Sequence, residues 1–145
     1  MTVVVDASIA LKWVLQEEGS EAAEKLLEQD LAAPSLWLLE AGNALWRRTV
    51  REELTPSEAA ERLAELASAP VASVPLEEDL PEALRLAFQL NHPVYDCLYL
   101  ALAKRLGTYV VTADARFGRA VAEHGTYVGH IRVLEPLTRG TGPRM

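Results

Sequence analysis

Three observations predict an α/β fold, a three-layer α/β/α sandwich on a mainly parallel sheet of four to five strands. Short β-branched runs, Val3-Val4-Val5 and Val110-Val111-Thr112 foremost, alternate with longer stretches of helical apolar spacing. Two of these runs lead into an acid that opens the next helix, at Asp6 and at Asp114. The length of 145 residues suits one domain, and a chain of this size buries roughly 70% of its unfolded surface without help from disulfide or structural metal. Strand–helix alternation sets strands in parallel with helices over both faces. Such sheets place their ligands at the carboxyl ends of the strands.

The elements follow in order. After the strand Thr2–Val5, Ser8 is the expected cap of a helix running to about Gln16, with Ile9 and Trp13 inward. Ser20 to Gln29 forms a second helix and Leu31–Ala33 a weak strand. Leu36 to about Arg51 is a long helix with Ser35 as its expected cap, and Glu40 is the only ionisable residue in its first half. Thr55-Pro56-Ser57-Glu58 is a capping box with Pro at the first helical position. Val71–Val74 is a short strand between Pro70 and Pro75. A helix from near Asp79 to Leu90 is expected to turn Leu80, Ala83, Leu84, Ala87 and Phe88 inward. Asn91-His92-Pro93 breaks it. The apolar helix from Val94 ends on Lys104-Arg105-Leu106-Gly107, a basic last turn followed by a Gly terminator. Then come the strand Thr108–Thr112, a helix from Asp114 to about His124, and a last strand within Tyr127–Leu134. One domain over residues 1–137 and a frayed tail over 138–145 complete the expectation.

Composition narrows the function. Half the residues are hydrophobic and the net charge is −7, so a broadly basic duplex-binding surface is excluded, although a local basic rim is not. The single Cys97 offers neither a disulfide nor a zinc cluster. The N-terminus enters a strand with no basic leader, and no apolar run is long enough to span a bilayer. A cytoplasmic protein without membrane attachment is the expectation.

Four acids stand out. Asp6 and Asp114 end strands expected to be neighbours; Glu40 and Asp96 lie in apolar helices, where a charge must be compensated or neutralised. Each has a bland role: helix cap for Asp6, Asp114 and Asp96, and an ion pair with Arg47 or another cation for Glu40. Together they suggest one site. Two carboxylates at 4 Å repel by roughly 4 kcal/mol at an effective dielectric of about 20, so a cluster of four calls for protons or a cation. Hard oxygen donors without His or Cys suit Mg²⁺ or Mn²⁺, and such a centre suits phosphodiester hydrolysis. Ser8 and Thr112 can orient a carboxylate, with helix cap and strand hydroxyl as their plain roles. Asn43 shares the Glu40 stripe and can meet carboxylate or substrate. Lys12, Arg47, Arg51, Arg116 and Arg119 are candidate backbone contacts, each also an ordinary surface charge. His92, His124 and His130 have no nucleophile nearby in sequence and receive no role. Trp37, Trp46 and Tyr95 are expected in the core.

The ordered stretches Val3-Val4-Val5-Asp6-Ala7-Ser8-Ile9-Ala10-Leu11-Lys12-Trp13, Glu40-Ala41-Gly42-Asn43-Ala44-Leu45-Trp46-Arg47, Tyr95-Asp96-Cys97-Leu98-Tyr99-Leu100-Ala101-Leu102-Ala103 and Val111-Thr112-Ala113-Asp114 resemble the successive motifs of PIN-domain ribonucleases. The likeness is to the VapC-type toxins of bacterial and archaeal toxin–antitoxin pairs in particular, and it extends to about Leu134. It implies a PIN-like α/β/α sandwich, Mg²⁺- or Mn²⁺-dependent cleavage of RNA, a homodimer, and inhibition by a small antitoxin protein. By motif position Asp6, Glu40, Asp96 and Asp114 match the family's acidic quartet, and Ser8, Asn43 and Thr112 its polar accessory positions. One departure is visible: many relatives carry a further acid just after the last motif aspartate, where Ala115, Arg116 and Phe117 stand here.

Other classes fit less well. A haloacid-type phosphatase needs an acid two residues after Asp6, where Ser8 stands. A receiver domain needs an acid after the third strand and a late Lys, but Pro75 follows Val74 and no Lys lies beyond Lys104. The non-enzyme alternative is a PIN-like module that binds RNA or protein without cleaving, and a full acidic quartet argues against it.

Overall fold

The computed structural model describes residues 1–134; the expected boundary at 137 and tail over 138–145 lie outside them. Five strands form one sheet: β1 (Thr2–Val5), β2 (Asp30–Pro34), β3 (Val71–Val74), β4 (Val110–Thr112) and β5 (Ile131–Val133). Seven α-helices connect and cover them: α1 (Ala7–Val14), α2 (Ser20–Lys25), α3 (Trp37–Val50), α4 (Pro56–Ala67), α5 (Leu80–Leu90), α6 (Val94–Leu106) and α7 (Ala115–His124). The sheet order is β3-β2-β1-β4-β5 and every pairing is parallel. The chain therefore builds outward from β1 to β3, returns to the other side of β1, and continues to β5. The reversal opens a crevice at the carboxyl ends of β1 and β4, where open parallel sheets hold ligands.

Strand alternation divides the core between the two faces. Val4, Ala33 and Val110 point into the larger core with α3, α5, α6 and α7, where Leu45, Leu86, Tyr99, Leu100, Leu102 and Phe117 are fully buried. Val3, Val5, Leu31 and Val111 point into the smaller core with Ile9 of α1 and Ala23 of α2. The result is the three-layer α/β/α arrangement.

Several element ends differ from expectation. Helix α1 is capped by Asp6, not Ser8; Asp6 accepts from the Ile9 N–H, and Ser8 lies inside the first turn. Ser35 does not cap α3. The flanking residue Leu36 provides no side-chain cap, while the Ser35 N–H donates to the Val74 carbonyl at 2.8 Å and prolongs the β2–β3 ladder. Helix α2 ends at Lys25 and continues as a 3₁₀ turn, Leu26–Glu28. Another 3₁₀ turn, Val128–His130, shortens the last strand. The Thr55–Glu58 capping box forms in full, and Gly107 closes α6 with φ at +69°.

Helix α5 buries Ala83 and packs Ala87 against the core as expected, but turns the three larger side chains expected beside them outward. Ala83, Leu86 and Leu90 face the core, whereas Leu80, Leu84 and Phe88 are exposed, Phe88 by 79%. Both stripes satisfy helical spacing, and only packing against α6 selects between them. Trp37 is buried as expected, but Trp46 and Tyr95 are 61% and 65% exposed. Trp46 stands one position beyond the buried Leu45, on the outer face of α3, and Tyr95 occupies the first turn of α6 before its buried run begins.

Candidate active site

The switch-point crevice is lined by two strand-to-helix turns. Asp6 leaves β1 and caps α1; Asp114 leaves β4 by way of Ala113 and caps α7, accepting from the N–H groups of Arg116 at 2.9 Å and Phe117 at 3.4 Å. The capping roles are thus real for both acids. Ser8 stitches the turns together: its hydroxyl donates to Asp6 Oδ1 at 2.5 Å and accepts from the Ala113 N–H at 2.9 Å. The buried Thr112 hydroxyl accepts from the Asp114 N–H at 3.0 Å and lies near enough to Asp6 to lower its carboxyl.

The helices bring the other two acids. Asp96 is the third residue of α6, and its Oδ2 lies 2.7 Å from His92 Nε2. It does not cap α6; Pro93 occupies that position. Glu40, in the first turn of α3, accepts from the Tyr99 hydroxyl at 2.5 Å through Oε1. The ion pair that is its plain alternative role does not form among the described residues. Glu40, Asp96 and Asp114 each use one carboxylate oxygen in these bonds, and the other oxygen has no protein partner among the described residues.

Electrostatics links the set. Burial raises the Asp6 carboxyl to about 7, against hydrogen bonds from Ser8 and Thr112 that lower it, and the Asp96 charge raises it further. Asp6 is only 5% exposed. Burial likewise raises Glu40, with Tyr99 opposing and Asp96 adding to the rise. Asp96 is raised by burial, lowered by His92 and raised again by Asp114. Asp6, Glu40 and Asp114 are each electrostatically coupled to Asp96, and no Lys or Arg pairs with any of the four among the described residues.

These donors fit a hard divalent cation in kind: oxygen only, partly desolvated, with free carboxylate oxygens and excess negative charge. As they stand, no three His, Cys, Asp or Glu side chains among the described residues converge tightly enough to hold an ion directly. Binding would draw the carboxylates inward, or waters would complete the shell, as Mg²⁺ commonly retains several.

Beside the acids lies a cleft of about 250 Å³ between α1 and α3. Ser8 and Ala113 border it, and Lys12, Arg47, Arg48 and Arg51 line it. Lys12 is engaged there: its Nζ donates to Glu17 at 3.2 Å and to the Glu18 carbonyl at 2.6 Å, while Arg48 meets the same Glu17 at 2.6 Å. Arg116 and Arg119 are exposed on α7 and do not line this cleft. Asn43 is exposed on α3 and makes no hydrogen bond with Glu40 among the described residues.

Two participants escape a reading of the sequence. His92 stands four residues before Asp96, a spacing that brings side chains together on a helical turn, but Asn91-His92-Pro93 reads as a break. Stacking on Phe117, with centroids 5.1 Å apart, holds its ring in place. Tyr99 lies three residues after Asp96 on the same helix stripe, yet its partner is 59 positions away.

Fold and site together define an α/β protein with an acidic centre at the switch point of a parallel sheet. The chain belongs to the PIN domain family, which matches it over residues 3–123. It is 36% identical over 120 residues to Ribonuclease VapC3 of Pyrobaculum aerophilum, spanning 79% of this chain and 90% of that relative. It is 31% identical over 124 residues to Ribonuclease VapC12 of Mycobacterium tuberculosis, spanning 85% and 92%. The crystal structure of PAE2754 from Pyrobaculum aerophilum aligns with a TM-score of 0.64 and 27% identity, covering 83% of this chain and 79% of that one.

Proposed function

We propose that this protein is a metal-dependent endoribonuclease and the toxin of a toxin–antitoxin pair. Its family membership and its relatives named Ribonuclease VapC3 and VapC12 support the activity. The observation that supports the mechanism is the electrostatic coupling of Asp6, Glu40 and Asp114 to Asp96, with no Lys or Arg paired to any of the four among the described residues. We assign these four to a Mg²⁺ or Mn²⁺ site. When bound, the cation would supply Lewis-acid activation of water and charge stabilisation on the phosphate.

The chain's own groups do the rest. Ser8 and Thr112 hold Asp6 on the axis of β1, and His92 holds one oxygen of Asp96. Arg47 and Arg51, with Lys12 and Arg48 behind them, offer the cleft beside Ser8 to the RNA backbone, while Arg116 and Arg119 serve a strand leaving along α7. Asn43, exposed on α3, is assigned to substrate rather than to a carboxylate. Leu39, Trp46 and Val50 of α3 and Leu84 and Phe88 of α5 are exposed, and this apolar surface suits a homodimer contact or a small antitoxin. Among the described residues helix α4 exposes no comparable large apolar side chain.

The test titrates Mn²⁺ and Mg²⁺ into the protein and into Asp6→Asn, following melting temperature and cleavage of a single-stranded RNA panel. Metal should stabilise the wild type and enable cleavage that leaves 5′-phosphate and 3′-hydroxyl ends; Asp6→Asn should lose cleavage. Cleavage without metal, or undiminished in Asp6→Asn, would overturn the mechanism.

A further inference from the structure

The buried run of α6 from Cys97 to Ala103 is apolar but for one hydroxyl, that of Tyr99. Its ring is among the largest fully buried side chains, 1% exposed, and packs in the larger core. Phe would fill the same volume. A hydroxyl placed there costs stability unless it is bonded, and its partner is Glu40 Oε1 at 2.5 Å. Helix α3 packs chiefly on α4 and α1 rather than along α6, so this bond directly ties Glu40 to the helix that carries Asp96.

We infer that Tyr99 is a positioning residue of the candidate centre: its hydroxyl holds one oxygen of Glu40 and leaves the other to act beside Asp6 and Asp96. The inference rests on the assignment of Glu40 to the metal site. Geometry gives it content. Glu40 has three side-chain torsions and no ion-pair partner among the described residues, so without the phenol nothing there fixes its carboxylate. Tyr99 sits one helical turn beyond Asp96, so both carboxylates are referenced to the same rigid element. Partners of metal-binding side chains act in this way, and their loss typically lowers metal affinity or activity by about 10–100-fold.

The test is Tyr99→Phe, which keeps the ring and removes only the hydroxyl, alongside Glu40→Gln and the double variant. Mn²⁺ affinity, read by the electron paramagnetic resonance of free Mn²⁺, should fall about 10-fold in Tyr99→Phe. Turnover of RNA should fall with it while KM stays near the wild-type value. The double variant should bind Mn²⁺ no more weakly than Glu40→Gln. Unchanged Mn²⁺ affinity in Tyr99→Phe, or losses that multiply in the double variant, would overturn the inference. Melting temperatures of the same four proteins without metal provide an independent arm. Non-additive shifts support the Tyr99–Glu40 coupling and additive shifts refute it. A wild type that takes up no Mn²⁺ would sink the metal reading above, and the metal-free arm would still decide the coupling.

Discussion

Two groups of acids in this chain are treated in opposite ways. At the outer corner where α5, α6 and the segment after α7 meet, Glu82 is met by Arg85 at 2.6 Å and by Lys104, and Arg85 and Gln89 both reach the Tyr127 hydroxyl. Nearby, Asp79 takes Arg105 at 2.8 Å and 3.0 Å. The hydrogen bond from Arg85 leads in holding the Glu82 carboxyl down to about 2. At the switch point, Asp6, Glu40 and Asp96 receive Ser, Tyr and His, Asp114 receives backbone N–H groups, no Arg or Lys side chain pairs with them among the described residues, and burial drives Asp6 up to about 7. Both regions use short, well-formed hydrogen bonds. They differ in compensating charge, which Arg and Lys supply throughout the corner and which the crevice receives only at Asp96, from His92. A folded protein tolerates that deficit where something external supplies the charge, and this supports a cation site more strongly than the mere count of acids.

The largest expected effect breaks the contrast at its centre. Asp6→Asn should reduce RNA cleavage by more than the ~100-fold typical of lost supporting partners. It should also raise the metal-free melting temperature at neutral pH. Asp6 is raised from 3.8 to about 7 in the folded state, so between these values the folded protein binds the proton more tightly than the unfolded chain. Its stabilising effect is complete below pH 3.8 and is lost as pH rises through about 7. The cost of the ionised form is at most ~4 kcal/mol by that shift. The variant's advantage should therefore vanish in melts near pH 4 and be full near pH 8; an advantage independent of pH would break the explanation.

Next in size is the response to metal. At 100-fold excess over its dissociation constant a bound cation adds ~2.7 kcal/mol, about 5–10 °C for a domain of this size. Glu82→Gln should show the same rise, and Asp96→Asn should show little or none. An equal rise in all three proteins would mean that the cation binds elsewhere.

Local rules make much of this contrast legible in the sequence. The strand ends at Asp6 and Asp114, the Thr55–Glu58 box and the Gly107 stop depend on neighbours in sequence, and each forms where expected. Features that depend on distant packing were harder to see. The inward stripe of α5 is set by α6, and the buried Tyr99 hydroxyl has meaning only once α3 brings Glu40 to it. The Glu17 link between Lys12 and Arg48 likewise joins α1 to α3 across 31 positions. His92 is intermediate: its spacing from Asp96 is local, but Pro93 disguises the turn that joins them.

A smaller effect concerns the basic cleft between the two regimes. If Arg47 and Arg51 each meet one phosphate, replacing each by Ala should lower the slope of log affinity against log salt by ~0.7 for single-stranded RNA. Mn²⁺ affinity should not change. Fluorescence anisotropy with an uncleaved RNA analogue measures the slope at several salt concentrations. An unchanged slope in the double variant would remove these residues from the RNA path.

The smallest expected effect is the sharpest check on the comparison, because its sign is opposite to that of Asp6. Glu82 is lowered from 4.5 to about 2 by Arg85 and Lys104. Its contribution is therefore present above pH 4.5 and lost as pH falls toward 2. The side chain is about one-third exposed, so solvent screening holds the pair to under about 1 kcal/mol. Glu82→Gln should melt slightly below the wild type at pH 7 and match it near pH 2, whereas Asp6→Asn melts above the wild type at pH 7 and converges with it near pH 4. Salt should shrink the Glu82 difference, since exposed pairs are screened, and should leave most of the Asp6 difference, since desolvation is not. If both variants moved in the same direction with pH, the two groups of acids would not differ in compensation, and the case for an external cation at the switch point would lose its electrostatic support.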